Sequence, residues 1–393
     1  MSFLLKKDIF FNIISTFFLF LLIFDLKIVG SLGSSFIVLL VCCFFLIINH
    51  KKYTQNIHDI LVFFSKFLII YFIFFTYILI RFLFSDLDDI SYLLTTLKTT
   101  SILLASLFYL SIFGRSNLSK NLFFVFLIAS LICLFFGTFP NLKFLIYPFK
   151  YGDDIENALI GGNEYRDAFL AGSSYFGISS LYGLAFSYLL MYCLEKRENL
   201  YYLYLGIIAI AGIFAGRVAI ICYLIAVLYF LIFKRKFKVL IFSILFFVLF
   251  LIALNFVPAF EAVKVWFNEM FANKSVGESE SVTQFKDVLR LPENQFTLLF
   301  GDARYGNSSN YYGGSDSGFI RNILFGGLLY LSILLITLLS IFDKVLKKSF
   351  SLLLILISCF LHFKGVFIFN NPGFFGVLLI VVFILNQKKS AVK

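Results

Sequence analysis

The sequence predicts an all-α polytopic membrane protein of about twelve transmembrane helices, built as a single integral membrane domain over residues 1–393. Three observations carry this. Hydrophobic residues make up 61% and charged residues 14% of the chain, against roughly 25% charged in soluble domains. Apolar runs of spanning length recur from end to end. The basic residues fall in short connections on alternate sides of those runs, which is a topology signal.

With about 20 apolar residues per span, the runs divide at 9–25, 34–49, 61–84, 91–113, 121–139, 171–194, 200–215, 217–233, 238–257, 317–342, 349–367 and 370–386. The first run has no small-residue cleavage site after it and is expected to be a retained helix. Two divisions rest on length. Tyr201 to Phe233 is almost unbroken, and as one helix it would reach about 50 Å against a hydrocarbon core of about 30 Å. It must turn back, and Ala215-Gly216-Arg217 is the place. Phe350 to Leu385 must break likewise, around Lys364-Gly365 and Asn370-Asn371-Pro372-Gly373.

With the N-terminus inside, the inner connections hold Lys6, Lys7, Lys51, Lys52, Arg115, Lys120, Lys196 and Arg197. They also hold Lys234, Arg235, Lys236, Lys238, Lys344, Lys347, Lys348, Lys388, Lys389 and Lys393, and both termini are expected in the cytoplasm. Two long loops then face outward, about 140–170 and 258–316. In the second, Phe260, Val263, Phe267, Met270 and Phe271 recur at helical spacing beside Trp266, as an amphipathic surface helix would. A shorter helix is expected from Glu280 to Leu291, stopped by Pro292.

The net charge of +11 does not indicate nucleic acid, because the cations belong to topology. Cys42, Cys43, Cys133, Cys193, Cys222 and Cys359 lie inside apolar runs, with neither disulfide nor zinc spacing. Asp86 and Asp88 form an isolated D-x-D, too short a pattern to carry a metal site, so no metal or other cofactor is expected. His50 and His58 fall in an inner loop and read as solvated. His362, near the outer end of its helix, is open to a proton-transfer role or a packing role.

The candidate chemistry is a group of cations near the outer face. Arg166 precedes the sixth span in a loop that also carries Asp153, Asp154, Glu156, Glu164 and Asp167. Arg217 stands at a hairpin turn with no loop to carry it into water. Arg304, Arg321 and Lys364 complete the group, and Asp316 marks the membrane edge one helical turn before Arg321. Guanidinium groups grip phosphate oxygens in pairs, so several around one cavity suit a diphosphate on a lipid carrier. The bland alternatives are pairing with nearby acids, helix capping by Asp316, and snorkelling of Arg321 and Lys364. Tyr305, Tyr311 and Tyr312, among Gly and Asn, suit stacking on sugar rings or plain interfacial placement.

With AGRVAIICYL at 215–224, LFGDARYGNSS and SDSGFIRNILFGGLLY within 299–330, and HFKG at 362–365, the chain resembles the Wzy-type O-antigen polymerases, and also the related O-antigen ligases. The two long outer loops match that layout. The resemblance implies a GT-C-like membrane glycosyltransferase of the bacterial inner membrane. It would join oligosaccharide repeat units carried on undecaprenyl diphosphate at the periplasmic face, with a flippase and a chain-length regulator as pathway partners. It implies Arg166 and Arg217, with Arg321 and Lys364, on the diphosphate. Asp316 would act as base, and Arg304 with Tyr305, Tyr311 and Tyr312 would bind glycan. Ligases carry a histidine before the tenth helix where this chain has Asp316, which favours polymerase. A flippase is the rival from another class, and it would place charge at the bilayer midplane in repeated halves.

Overall fold

The computed structural model describes residues 2–30, 32–84, 90–150, 165–256, 260, 264, 291–307 and 310–390. The described residues are mostly helical, with two short hairpins. One pairs β1 (Lys27–Val29) with β2 (Leu32–Gly33), and the other pairs β3 (Gly306–Asn307) with β4 (Asn310–Tyr311). The helices are α1 Ser2–Phe24, α2 Ser34–Ile48, α3 His50–Phe63, α4 Ser65–Leu83, α5 Ser91–Phe113, α6 Leu118–Thr138 and α7 Tyr175–Lys196. They continue as α8 Asn199–Ala215, α9 Arg217–Ile232, α10 Phe237–Phe256, α11 Gln295–Phe300, α12 Gly318–Ile341, α13 Ser349–Lys364 and α14 Pro372–Ser390.

Six of these, α4, α5, α6, α7, α10 and α12, are long and apolar enough to cross a membrane. Six shorter apolar helices, at Ile9–Phe24, α2, α8, α9, α13 and Pro372–Gln387, stand where the remaining runs were expected. Both breaks argued from length fall as expected. α8 ends at Ala215 and α9 begins at Arg217, while α13 ends at Lys364 and α14 begins at Pro372. The stretch expected as an inner loop before α4 is instead the amphipathic helix α3, which buries Tyr53 and Ile60 and leaves His50 and His58 exposed. The expected surface helix around Trp266 and the helix from Glu280 lie outside the described residues, except for Phe260, Lys264 and Leu291.

The chain divides into two compact units, residues 1–48 with 108–272, and residues 49–107 with 273–393. The first is organised on α7, which is buried nearly all round. Small residues make that possible by letting neighbouring backbones approach. A Cβ on Gly183 would sit 2.9 Å from the Cys222 side chain of α9, and one on Gly212 of α8 would sit 3.0 Å from the Tyr182 Cβ. Two hydroxyls of α7 bond across helices, Tyr182 to Ser130 at 3.1 Å and Tyr188 to Ser119 at 2.7 Å.

The second unit is organised on α12, and α12 is not one helix. At Gly327 the backbone takes φ 71°, ψ −172°, a conformation open essentially to glycine alone. The break frees carbonyls that would otherwise bond within the helix, and apolar surroundings make such groups costly. Each is met: Leu324 O accepts from Asp302 N at 2.7 Å, Phe325 O from Ala303 N at 2.9 Å, and Gly326 O from the Tyr77 hydroxyl at 2.8 Å. The segment after α11 therefore docks backbone to backbone on the break. A Cβ on Gly327 would lie 2.0 Å from Leu299 O, and one on Gly301 would lie 2.4 Å from the Phe325 carbonyl. Arg81 of α4 donates to Gly301 O at 2.8 Å and holds the same segment from another side.

Candidate functional site

In the first unit a 3-10 turn, Arg166–Ala168, leads into α7. Its position is set by the Gly172 N–H, which donates to Phe24 O at 2.8 Å, and by Ser174, which caps α7. The half-buried Arg166 guanidinium lies over the Tyr175 ring at 4.2 Å. Asp167 is buried and accepts from the Tyr175 hydroxyl. Lys150, also buried, donates to the Asp167 main-chain carbonyl. Burial pushes the Asp167 carboxyl above its usual range. The Tyr175 bond and the charges of Lys143, Lys150 and Arg166 oppose that shift.

Arg217 opens α9 directly after Gly216. The turn is clasped by Ser179 of α7, whose hydroxyl donates to Gly216 O at 3.0 Å and accepts from Ala219 N at 3.1 Å. A Cβ on residue 216 would crowd that same hydroxyl at 2.9 Å, which accounts for glycine there. Arg217 is close enough to act on Arg166. Burial pulls the Arg166 guanidinium below its usual range, Tyr175 and Asp167 oppose this, and the positive charge of Arg217 adds to it. An arginine does not deprotonate in proteins.

So Arg166 and Arg217, far apart in sequence, are brought together, and with them come Lys143 and Lys150, which sequence reasoning passed over. Lys143 carried a signal: a lone cation within the apolar stretch between Pro140 and Pro148. Among the described members of this cluster the cations outnumber the single carboxylate of Asp167. The acids Asp153, Asp154, Glu156 and Glu164 lie outside the described residues.

In the second unit Arg321 is buried, and its Nη2 donates to the carbonyls of Tyr305 at 3.1 Å and Gly306 at 3.4 Å. Its guanidinium also lies over the Tyr305 ring at 4.1 Å. Tyr92 stacks on Tyr305 at 4.0 Å. Two groups that close cannot share one face, so both faces of Tyr305 are covered, and its hydroxyl accepts from Asn370 at 3.1 Å. Tyr305 is thus part of the packing, with no ring face left for a sugar.

Asp316 is exposed, just before the N-terminus of α12. Arg304 and Lys364 are exposed as well. Tyr312 donates to Asp302 at 2.8 Å, and burial and that carboxylate both raise its phenol above the usual range. Tyr311 stands in β4.

Of the two roles open to His362, the geometry favours packing. His362 is fully buried. Its Nδ1 accepts from the N–H groups of Phe367 and Ile368, each at 3.1 Å. The proton therefore sits on Nε2, 2.7 Å from the Asn322 amide, whose oxygen must face the ring to accept it. Both nitrogens are spent on joining α13 to the segment before α14 and to α12.

The described residues hold no group of three or more His, Cys, Asp or Glu side chains placed to share a metal ion. Asp86 and Asp88 lie outside the described residues. Compared with protein-family models and with curated proteins, the sequence matches none.

Proposed function

We propose that the protein is a twelve-helix O-antigen polymerase of the bacterial inner membrane, with both termini cytoplasmic. Its substrates would be undecaprenyl-diphosphate-linked glycans met at the periplasmic face. The observation that carries this reading is the electrostatic pairing of Arg166 and Arg217 beside Lys143 and Lys150. Among the described residues this excess of cations, with Arg166 and Arg217 half-buried and Lys143 and Lys150 buried, suits a ligand with several negative charges and a long apolar tail.

In the proposed reaction an acceptor sugar hydroxyl attacks the anomeric carbon of the growing glycan. The bond to the lipid diphosphate breaks, and the diphosphate leaves with its electron pair. Arg166 and Arg217 neutralise the charge that develops there. Asp316, exposed and able to meet a substrate, takes the hydroxyl proton. Arg304 and Tyr312 would meet glycan, with Tyr311 beside them in β4. Arg321 would act by holding the segment at Tyr305 and Gly306.

A second reading is a lipid-linked oligosaccharide flippase, favoured by one observation. Transporters build their sites on discontinuous helices, and α12 is broken at Gly327. The surface lipopolysaccharide of a deletion strain decides between them. A polymerase mutant shows core plus one repeat, whereas a flippase or ligase mutant shows bare core. Complementation sharpens the test. Arg217→Lys should also yield core plus one repeat at normal protein level, because one ammonium cannot reproduce a planar two-point grip. A full-length ladder from Arg217→Lys would reduce Arg217 to an anchor of its hairpin.

A further inference from the structure

We propose that the groove between α8 and α10 is a binding site for an anionic phospholipid. Its phosphate would lie at Lys238, and one acyl chain would run along Phe242, Leu245, Phe246 and Leu249. This site is separate from the outer cation cluster and does not depend on the proposed activity.

The groove has a volume of about 660 Å³. It lies along α8 and α10, whose closest approach is at Gly206. A Cβ on Gly206 would sit 3.0 Å from the Phe246 ring, and on either side of that contact the two helices leave space. Its wall is a ladder of rings, Tyr202 against Phe242 at 5.3 Å and Phe242 against Phe246 at 6.2 Å. One end is polar, with Asn199 and Lys238, and the rest is apolar down to Ala253. From Lys238 to Ala253 a helix rises about 22 Å, whereas one leaflet contributes about 15 Å of hydrocarbon. An acyl chain of a single leaflet therefore fits with its phosphate at the lysine.

Two further observations choose the occupant. α10 is the most apolar and the least buried of the six long helices, so hydrocarbon covers it. The lysine end is continuous with Lys234, Arg235 and Lys236, all exposed. A basic cluster flanking a membrane helix attracts anionic headgroups. The same design recurs in this unit between α1 and α6. There a groove of about 610 Å³ carries Lys120, Asn12 and Asn121 beside Phe17, Phe124 and Ile128.

The test uses the full chain in detergent, with phosphatidylglycerol, phosphatidylethanolamine and a polyprenyl phosphate titrated in turn, and bound lipid counted by native mass spectrometry. A Lys120→Glu background silences the second groove. Phosphatidylglycerol should be retained over phosphatidylethanolamine, and Lys238→Glu should weaken it by at least about tenfold. Leu245→Trp, which fills the slot without touching a charge, should abolish retention, while Lys344→Glu in the other unit should leave it unchanged. Equal retention of the two phospholipids, or preference for the polyprenyl phosphate, overturns the proposal. So does indifference to both groove variants, or a lipid-free dimer that Leu245→Trp dissociates.

Discussion

Arg166 and Arg321 look alike at close range. Each places its guanidinium over a tyrosine ring, at 4.2 Å in the first unit and 4.1 Å in the second. Their surroundings differ. Arg321 is buried, and Nη2 donates to two main-chain carbonyls in the segment that docks on the break of α12. Arg166 is half-buried in a field of like charge, with Arg217, Lys143 and Lys150 acting on it or on the neighbouring Asp167. A cation over an aromatic ring contributes about 0.5–2 kcal/mol in either place. Arg321 spends donors on the main chain, whereas Arg166 stands among further cations, and the diphosphate role proposed for Arg166 rests on that difference.

The largest effect expected falls on the platform beneath Arg321. Gly327→Ala puts a Cβ 2.0 Å from Leu299 O at φ 71°. Both chains are main chain there and cannot swing aside, so the loss should exceed the roughly 3 kcal/mol that a strained φ alone costs. Folded protein recovered by size exclusion, and its thermal midpoint, read this directly. A variant of near-normal stability would mean that α12 runs continuous through Gly327, and the account of the docked segment would fall with it.

Exchanging the two arginines for alanine comes next. Arg321→Ala strands two carbonyls and uncovers a Tyr305 face, for a loss of about 3 kcal/mol. Arg166→Ala removes a half-buried like-charge contact and should change stability by less than about 1 kcal/mol while abolishing chain extension. If thermal shifts come out equal, or Arg166→Ala is the more damaging to folding, the distinction between charge spent and charge available is lost.

Length arithmetic made the turn at Gly216 legible, because a run of about 50 Å cannot stay straight across a membrane. The break at Gly327 was invisible by the same ruler. Gly318–Ile341 has the length of one good span, and what interrupts it is a segment that returns from Gln295 to Ala303. Phe325-Gly326-Gly327 carried the only hint, and glycine is common enough in membrane helices to pass unread. The site shows the same division. Arg217 stood out because no acid lies near it in sequence, and Arg166 because it stands just before a span. Lys150 was passed over, and Tyr305 looked like a glycan platform because the residue that covers it, Tyr92, is far off in sequence. The burial of Arg321 likewise comes from residues remote in the chain.

The smallest effect concerns Asp167, and it reports on the charged unit alone. Its carboxyl is raised above the usual range, chiefly by burial, against the pull of Tyr175, Lys143, Lys150 and Arg166. A free aspartate titrates near 4. Between that value and the higher folded one, the folded state holds more protons than the unfolded chain. Stability must therefore fall as pH rises through that window, and stay level above it. Below the free value the group contributes no slope. Asp167→Asn keeps an acceptor for the Tyr175 hydroxyl but cannot ionise, so subtracting its thermal midpoints from those of the wild type should isolate the slope. Lys150→Met removes one of the cations that favour the carboxylate. It should carry the decline to higher pH. A difference curve that rises with pH instead would mean that the surrounding cations overcompensate burial. The account of Asp167 as a carboxyl raised chiefly by burial would then fall.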